Sequence, residues 1–277
     1  SKEDARKMGI QIVPISVRFG DEEFLDGVEI THEEFYTRLA ECDELPKTSQ
    51  PSPDTFMKVF NEAVAAGDDV LGIFISSDLS GTYQSACLAA LDVEEETRKK
   101  LYMVDSRSAS IGTALLIREV VKLRDAGVNV SDIAAACTEM SKYIKLTAVV
   151  GSLKYLKMGG RLSGAAAFAG TMLHITPVVS IEDGKVVVIG KTRGKKAAEK
   201  LMHDKLIKDG LSLTRDFMFG HINCSESLET FINKSLTYIS DVNGNVGVSS
   251  IGCSVGTHVG PGTYGIAYVA VSYTHLR

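Results

Sequence analysis

Short apolar runs alternate with stretches of helical periodicity through the first half of the chain, the pattern of a parallel sheet covered by helices. Ile10 to Phe19 reads as a strand. Behind it, Thr31-His32-Glu33-Glu34 has capping-box spacing, in which the Thr hydroxyl takes a free amide and Glu34 reaches back to the cap. Phe35, Tyr36 and Leu39 then give the following helix its apolar face. Ser52-Pro53-Asp54 is a second helix start, with Pro where no amide hydrogen is needed and Asp favoured by the helix dipole. Phe56, Val59, Phe60, Ala63 and Val64 follow at helical spacing, and Gly67 ends the run. Val70 to Ser76 predicts a buried strand, Gly81 to Ala90 a helix, Leu101 to Val104 a strand, and Ile111 to Ala126 a helix. A helix capped by Ser131 runs to about Tyr143.

From Leu146 the texture changes to closely spaced strands: Thr147 to Val150, Thr176 to Glu182, Lys185 to Gly190, Phe217 to Ile222, Val246 to Ile251 and Gly265 to Val271. Glu182-Asp183-Gly184-Lys185 reads as a hairpin turn, and helices are expected over Lys195 to Lys208 and Ser227 to Leu236. The expected fold class is therefore α/β in two domains: residues 1–145 with a parallel sheet, and residues 146–277 with a mixed or antiparallel sheet.

Composition narrows the function classes. A chain of 277 residues with 44% hydrophobic residues can bury its core without disulfides or metals. A net charge of -5 argues against nucleic acid as the main partner. The five cysteines are scattered without Cys-x-x-Cys spacing, and no stretch has the ~18 consecutive apolar residues of a membrane span. Ser1-Lys2-Glu3-Asp4 is not the basic head of a signal peptide, so a cytoplasmic protein without membrane insertion is expected.

Three polar clusters carry candidate chemistry. Thr48-Ser49-Gln50-Pro51-Ser52 lies just ahead of a helix, and Ser76-Ser77-Asp78-Leu79-Ser80-Gly81-Thr82-Tyr83 lies between a strand's carboxyl end and the next helix. That edge is where open α/β sheets bind ligands, and helix N-termini favour anions, although the same hydroxyls also serve as plain helix caps. The third cluster, Gly252 to Gly262, sets His258 among four glycines and a proline, which predicts a tight turn open to close approach. Gly252-Cys253-Ser254-Val255-Gly256 matches the Gly-x-Ser-x-Gly elbow, but no acid follows Ser254. Gly260-Pro261-Gly262-Thr263-Tyr264-Gly265 matches a dinucleotide fingerprint without room for the βαβ unit. The six His show no metal-ligand spacing, so neither metal nor cofactor is expected.

With Leu45 to Ser52, Ile75 to Ala86, Tyr155 to Ser163 and Gly256 to Gly262 in this order, and with Val104 to Arg107 and Lys191 to Lys196 between them, the chain resembles the DegV family over nearly its whole length. The resemblance implies a two-domain α/β protein, not an enzyme, that holds a long-chain fatty acid in a tunnel between its domains. By motif position, Thr48, Ser80 and His258 would hold the carboxylate, with Ser49, Gly81 and Thr82 beside them. Arg161 would lie at the head-group end, and Arg161 and Arg193 would meet a fatty acid kinase that makes the acyl phosphate for phospholipid synthesis. Ala165 to Leu173, small and apolar, would either line the acyl chain or pack as an ordinary helix. Family members begin with an extra strand and an Asp-Ser turn, so the first strand is expected to be missing here, and Tyr273 to Arg277 departs from the family's ending.

Two other readings stand beside this one. An esterase or acyl transferase would use Ser80 or Ser254 as nucleophile and His258 as base. A sensor or phospho-ligand binder would use the same anion site with a more polar cavity.

Overall fold

The computed structural model describes residues 1–42, 44–164, 175–212, 214–238 and 244–271. The expectations for Ala165 to Leu173 and for Tyr273 to Arg277 lie outside these residues.

After helix α1 (Lys2–Lys7), strand β1 (Ser16–Phe19) pairs antiparallel with β2 (Glu22–Leu25) and with β3 (Lys47–Ser49). The single strand expected over Ile10 to Phe19 is thus shorter and belongs to a small antiparallel sheet. Between β2 and β3 lies α2 (His32–Glu41), closed by the expected box: Glu34 N donates to Thr31 Oγ1 at 3.2 Å and Thr31 N donates to Glu34 Oε2 at 2.9 Å. The parallel pairing expected of this half is confined, among the described residues, to β4 (Leu71–Phe74) and β5 (Tyr102–Asp105). Around them run α3 (Pro53–Ala65), capped by Ser52, α4 (Thr82–Thr97), α5 (Ile111–Asp125) and α6 (Val130–Met140). The cap of α6 is Asn129, whose side chain accepts from Asp132 N, and not Ser131.

A six-stranded sheet begins with β6 (Ile144–Val149) and continues, beyond the short α7 (Lys154–Met158), with β7 (Thr176–Glu182) and β8 (Lys185–Thr192). The β7–β8 turn is the expected hairpin, with Asp183 at φ 48° and Gly184 at φ 82°. Then come α8 (Lys195–Asp209), β9 (Phe217–His221), α9 (Ser225–Tyr238), β10 (Val246–Ser250), α10 (Cys253–Val259) and β11 (Tyr264–Val269). The order β10-β9-β11-β6-β7-β8 is mixed: β9 and β10 run parallel and the other pairs antiparallel.

Period-two alternation divides the sheet's residues between its faces. Phe217, Phe219, Tyr264, Ile266 and Tyr268 turn one way and join Met202, Leu206 and Phe231 of α8 and α9 in a dense core. Met218, Ala267 and Val269 turn the other way, onto Leu115 and Leu116 of α5. A helix from the first half of the chain therefore covers the β9–β11 side of this second face. Further across the same face, cross-strand partners Gly265, Ala148 and Val179, and Leu146, Ile181 and Val186, line a cavity.

Candidate functional site

The cavity encloses about 1090 Å³ of space not filled by protein atoms, its open mouth included. Its floor is the aliphatic face of β6, β7 and β8. Its walls are the loops after β4 and β5 (Ile75, Leu79, Ala109), Ile111 at the start of α5, Leu156, Ile251, and the Val255 and Val259 side of α10.

Polar groups gather where β3, the β4–α4 loop, α7 and α10 meet. Alternation along β3 turns Thr48 inward, opposite Val17 of β1, and leaves Ser49 exposed. Thr48 Oγ1 lies 2.9 Å from His258 Nε2, and both residues line the cavity. Ser80 also lines it, with its Oγ 2.8 Å from Thr82 Oγ1. Thr82 itself is buried in the first turn of α4 and, like Gly81, does not reach the lining. Gln50, absent from the expected site, does line the cavity, because its amide folds over the Cα of Gly81.

His258 does not sit in a turn; it occupies the last turn of α10. Its imidazole packs so closely on Gly159 that a Cβ there would come within 2.3 Å of Nδ1, so that position requires glycine. Nδ1 is buried and has no hydrogen-bond partner among the described residues. An orphaned lone pair is less costly than an orphaned N–H, which favours the tautomer with its proton on Nε2. Nε2–H then donates to Thr48 Oγ1, and the Thr48 hydroxyl proton is free to point into the cavity. Burial, followed by the Arg161 charge, lowers the His258 pKa to about 4, so the ring is neutral near pH 7.

Arg161 supplies the cation. Its Nε donates to Leu79 O at 3.2 Å and its Nη1 to Gly159 O at 2.7 Å, which fixes the guanidinium beside His258 and Ser80. Among the described residues no carboxylate pairs with it. Arg193 is exposed on the bend between β8 and α8 and does not belong to the lining.

Ser254 lines the cavity one helical turn before His258, but its Oγ donates to Asp26 Oδ2 at 2.7 Å. A helix does follow Gly252, and the acid that the sequence after Ser254 lacks is supplied in space by Asp26. Neither the Ser80 nor the Ser254 hydroxyl is hydrogen-bonded to His258, whose Nε2 is engaged by Thr48.

Among the described residues no helix is long and apolar enough to cross a membrane. The model of the DegV family, described as uncharacterised proteins, matches residues 1–271. A DegV family protein from Thermus thermophilus, described by its fatty acid binding, is 30% identical, with 98% of this chain and 95% of that one covered at a TM-score of 0.87. A stearic acid-binding protein from Eubacterium ventriosum is 29% identical over 98% and 94% of the two chains, with a TM-score of 0.84. The fatty acid kinase B3 protein of Streptococcus pneumoniae, loaded with linoleic acid, shares the fold (TM-score 0.83, 94% and 90% covered) at 22% identity.

Proposed function

The chain belongs to the DegV family, and on that premise we propose that it is a carrier of one long-chain fatty acid. The acyl chain lies on the aliphatic floor of the cavity and the carboxylate sits at the Thr48, Ser80, His258 and Arg161 pole. The observation that carries this reading is Arg161, a cation held in place by two backbone carbonyls beside hydroxyls that can donate, with no carboxylate of the described chain to neutralise it. A ligand carboxylate would complete the set with charge-assisted hydrogen bonds. Because His258 is neutral, the negative charge meets one cation and not two, which suits a ligand that must be released again.

Carrier and not catalyst is part of the same proposal. The Thr48 bond occupies His258, Ser254 is turned to Asp26, and an apolar chamber ending in donors is suited to holding an acid. Presentation of the bound acid to a separate fatty acid kinase in the cytoplasm, with Arg161 and the exposed Arg193 on the docking side, and a division into domains near residue 145 complete the proposal.

Native mass spectrometry with lipid extraction tests it. A fatty acid should accompany the parent chain in stoichiometric amount and be lost from the Thr48→Ala, Ser80→Ala, His258→Ala triple variant. A folded parent that carries no fatty acid and takes none up sinks the carrier reading. Ester hydrolysis that requires Ser80 or Ser254 together with His258 would replace it with an enzyme.

A further inference from the structure

Asp26, His32 and Cys253 bring a carboxylate oxygen, an imidazole nitrogen and a thiol sulfur within 4.8 Å of one another. They come from the residue after β2, the first residue of α2 and the first residue of α10. None of the three lines the cavity. From this convergence we infer that the trio is a binding site for a single divalent cation of the zinc class.

The donor set has the chemistry of such an ion. Sulfur, nitrogen and oxygen at about 2.0–2.3 Å from a tetrahedral centre lie roughly 3.3–3.8 Å apart, so a contraction of about 1 Å closes the site. The donors are already held in place. Asp26 Oδ1 accepts from Cys253 N at 3.1 Å, and Oδ2 accepts from the Ser254 N and Oγ at 2.7 Å each. A carboxylate has about four lone-pair positions, so one remains on Oδ1. His32 Nδ1 lies 2.9 Å from Ser250 Oγ, which fixes the ring's orientation as hydrogen bonds to metal-ligating imidazoles commonly do.

Charge favours the same class of ion. One carboxylate and one thiolate neutralise a divalent cation, and the thiol proton leaves to solvent on binding. Cys253 is buried while Asp26 and His32 are half-buried, so an ion enters from the solvent side and keeps water as its fourth ligand. Two of the donors lie near the start of the chain and the third near its end, which is why no short spacing in the sequence announces them. The bound ion would fasten the β2–α2 connection to the start of the helix that ends at His258.

The test is a titration of the full chain, stripped with chelator, with Co²⁺ alone and then with competing Zn²⁺. A thiolate-to-cobalt charge-transfer band should appear and saturate at one equivalent, with proton release, and Zn²⁺ should abolish it. Cys253→Ser should remove the band and Cys87→Ser should leave it. His32→Ala should weaken binding by at least the roughly tenfold that loss of an outer hydrogen-bond partner typically costs. A parent chain without the band, or a band that survives Cys253→Ser, overturns the site. If Cys253→Ser does not fold, the parent spectrum and His32→Ala decide: unchanged affinity in His32→Ala leaves Asp26 as nothing more than the cap of α10.

Discussion

The two faces of the six-stranded sheet are made from alternate residues of the same strands, and they are packed in opposite ways. On one, Phe217, Phe219, Phe231, Tyr264 and Tyr268 fill the space under α8 and α9, each at most 1% exposed. On the other, Gly265, Ala148, Val179 and Val186 stand opposite the loops after β4 and β5 and leave room. Aromatic rings on the first face meet edge to face, Phe219 with Phe217 and with Phe231 at 5.8 Å between centroids. The dense face buries one side of the strands, so the part of the other side that α5 does not cover can remain partly unfilled. Each face also holds a histidine: His203, bonded to Ser235 Oγ at 2.9 Å and stacked on Phe231, and His258, whose Nδ1 has no partner among the described residues.

Truncation tests the division most severely. Phe219→Ala removes a fully buried ring from the dense face and should cost about 3–5 kcal/mol in urea unfolding. Val179→Ala, from the same sheet but over the cavity, should cost only about 1–2 kcal/mol. Equal losses at the two positions would mean that the second face is as well filled as the first.

The strands that carry the dense face are legible in the sequence as the local apolar runs Phe217 to Ile222 and Gly265 to Val271, within a residue or two of the observed β9 and β11. The β7–β8 hairpin and the α2 capping box were legible for the same reason: each is fixed by neighbours a few residues away. Thr48, Ser80, Arg161 and His258 could be picked out by family pattern, and the fold brings them together. What sequence could not show was set by distant partners. Gly252 to Gly262 reads as a turn, yet most of it forms α10, because Asp26 accepts the Cys253 and Ser254 amides at the helix start. Its Gly256 also lies under Tyr36, whose Oη would be 2.2 Å from a Cβ there. That Thr48 faces in and Ser49 faces out follows from the pairing of β3 with β1, a three-residue contact that no periodicity of that length can reveal.

Acid tests the histidine of the open face next. An unfolded imidazole takes its proton near 6.5, while folded His258 does so only near 4, because burial and Arg161 oppose the charge. Between these values the unfolded state binds more protons, so this contribution is fully present above pH 6.5 and is lost as pH falls toward 4. In fatty-acid-free protein the loss should reach roughly 3 kcal/mol. His203 and His221 are also lowered by burial, so the His258→Asn variant is the proper reference. The slope of stability against pH should be shallower in that variant by the His258 share. Identical slopes would show that the ring is already charged, or solvated, in the fold. Filling the pole with a carboxylate should raise the His258 pKa and flatten the slope of the parent as well.

The smallest change in stability is expected from added bulk, and it bears most directly on the cavity. Ala148 is buried on β6 between Gly265 and Val179, and its side chain faces the unfilled space. Ala198, also fully buried, faces the aromatic cluster from α8. A phenyl group at 198 has nowhere to go and should cost about 1–3 kcal/mol or more by overpacking. The same group at 148 enters the cavity, and its buried apolar surface offsets most of the strain, so stability should change by no more than about 1 kcal/mol. The acyl chain then has no floor to lie on, and fatty acid should be absent from the folded Ala148→Phe protein while Ala198→Phe, where it folds, retains it. Comparable destabilisation at both positions, with ligand retained at both, would place the bound acid somewhere other than against β6.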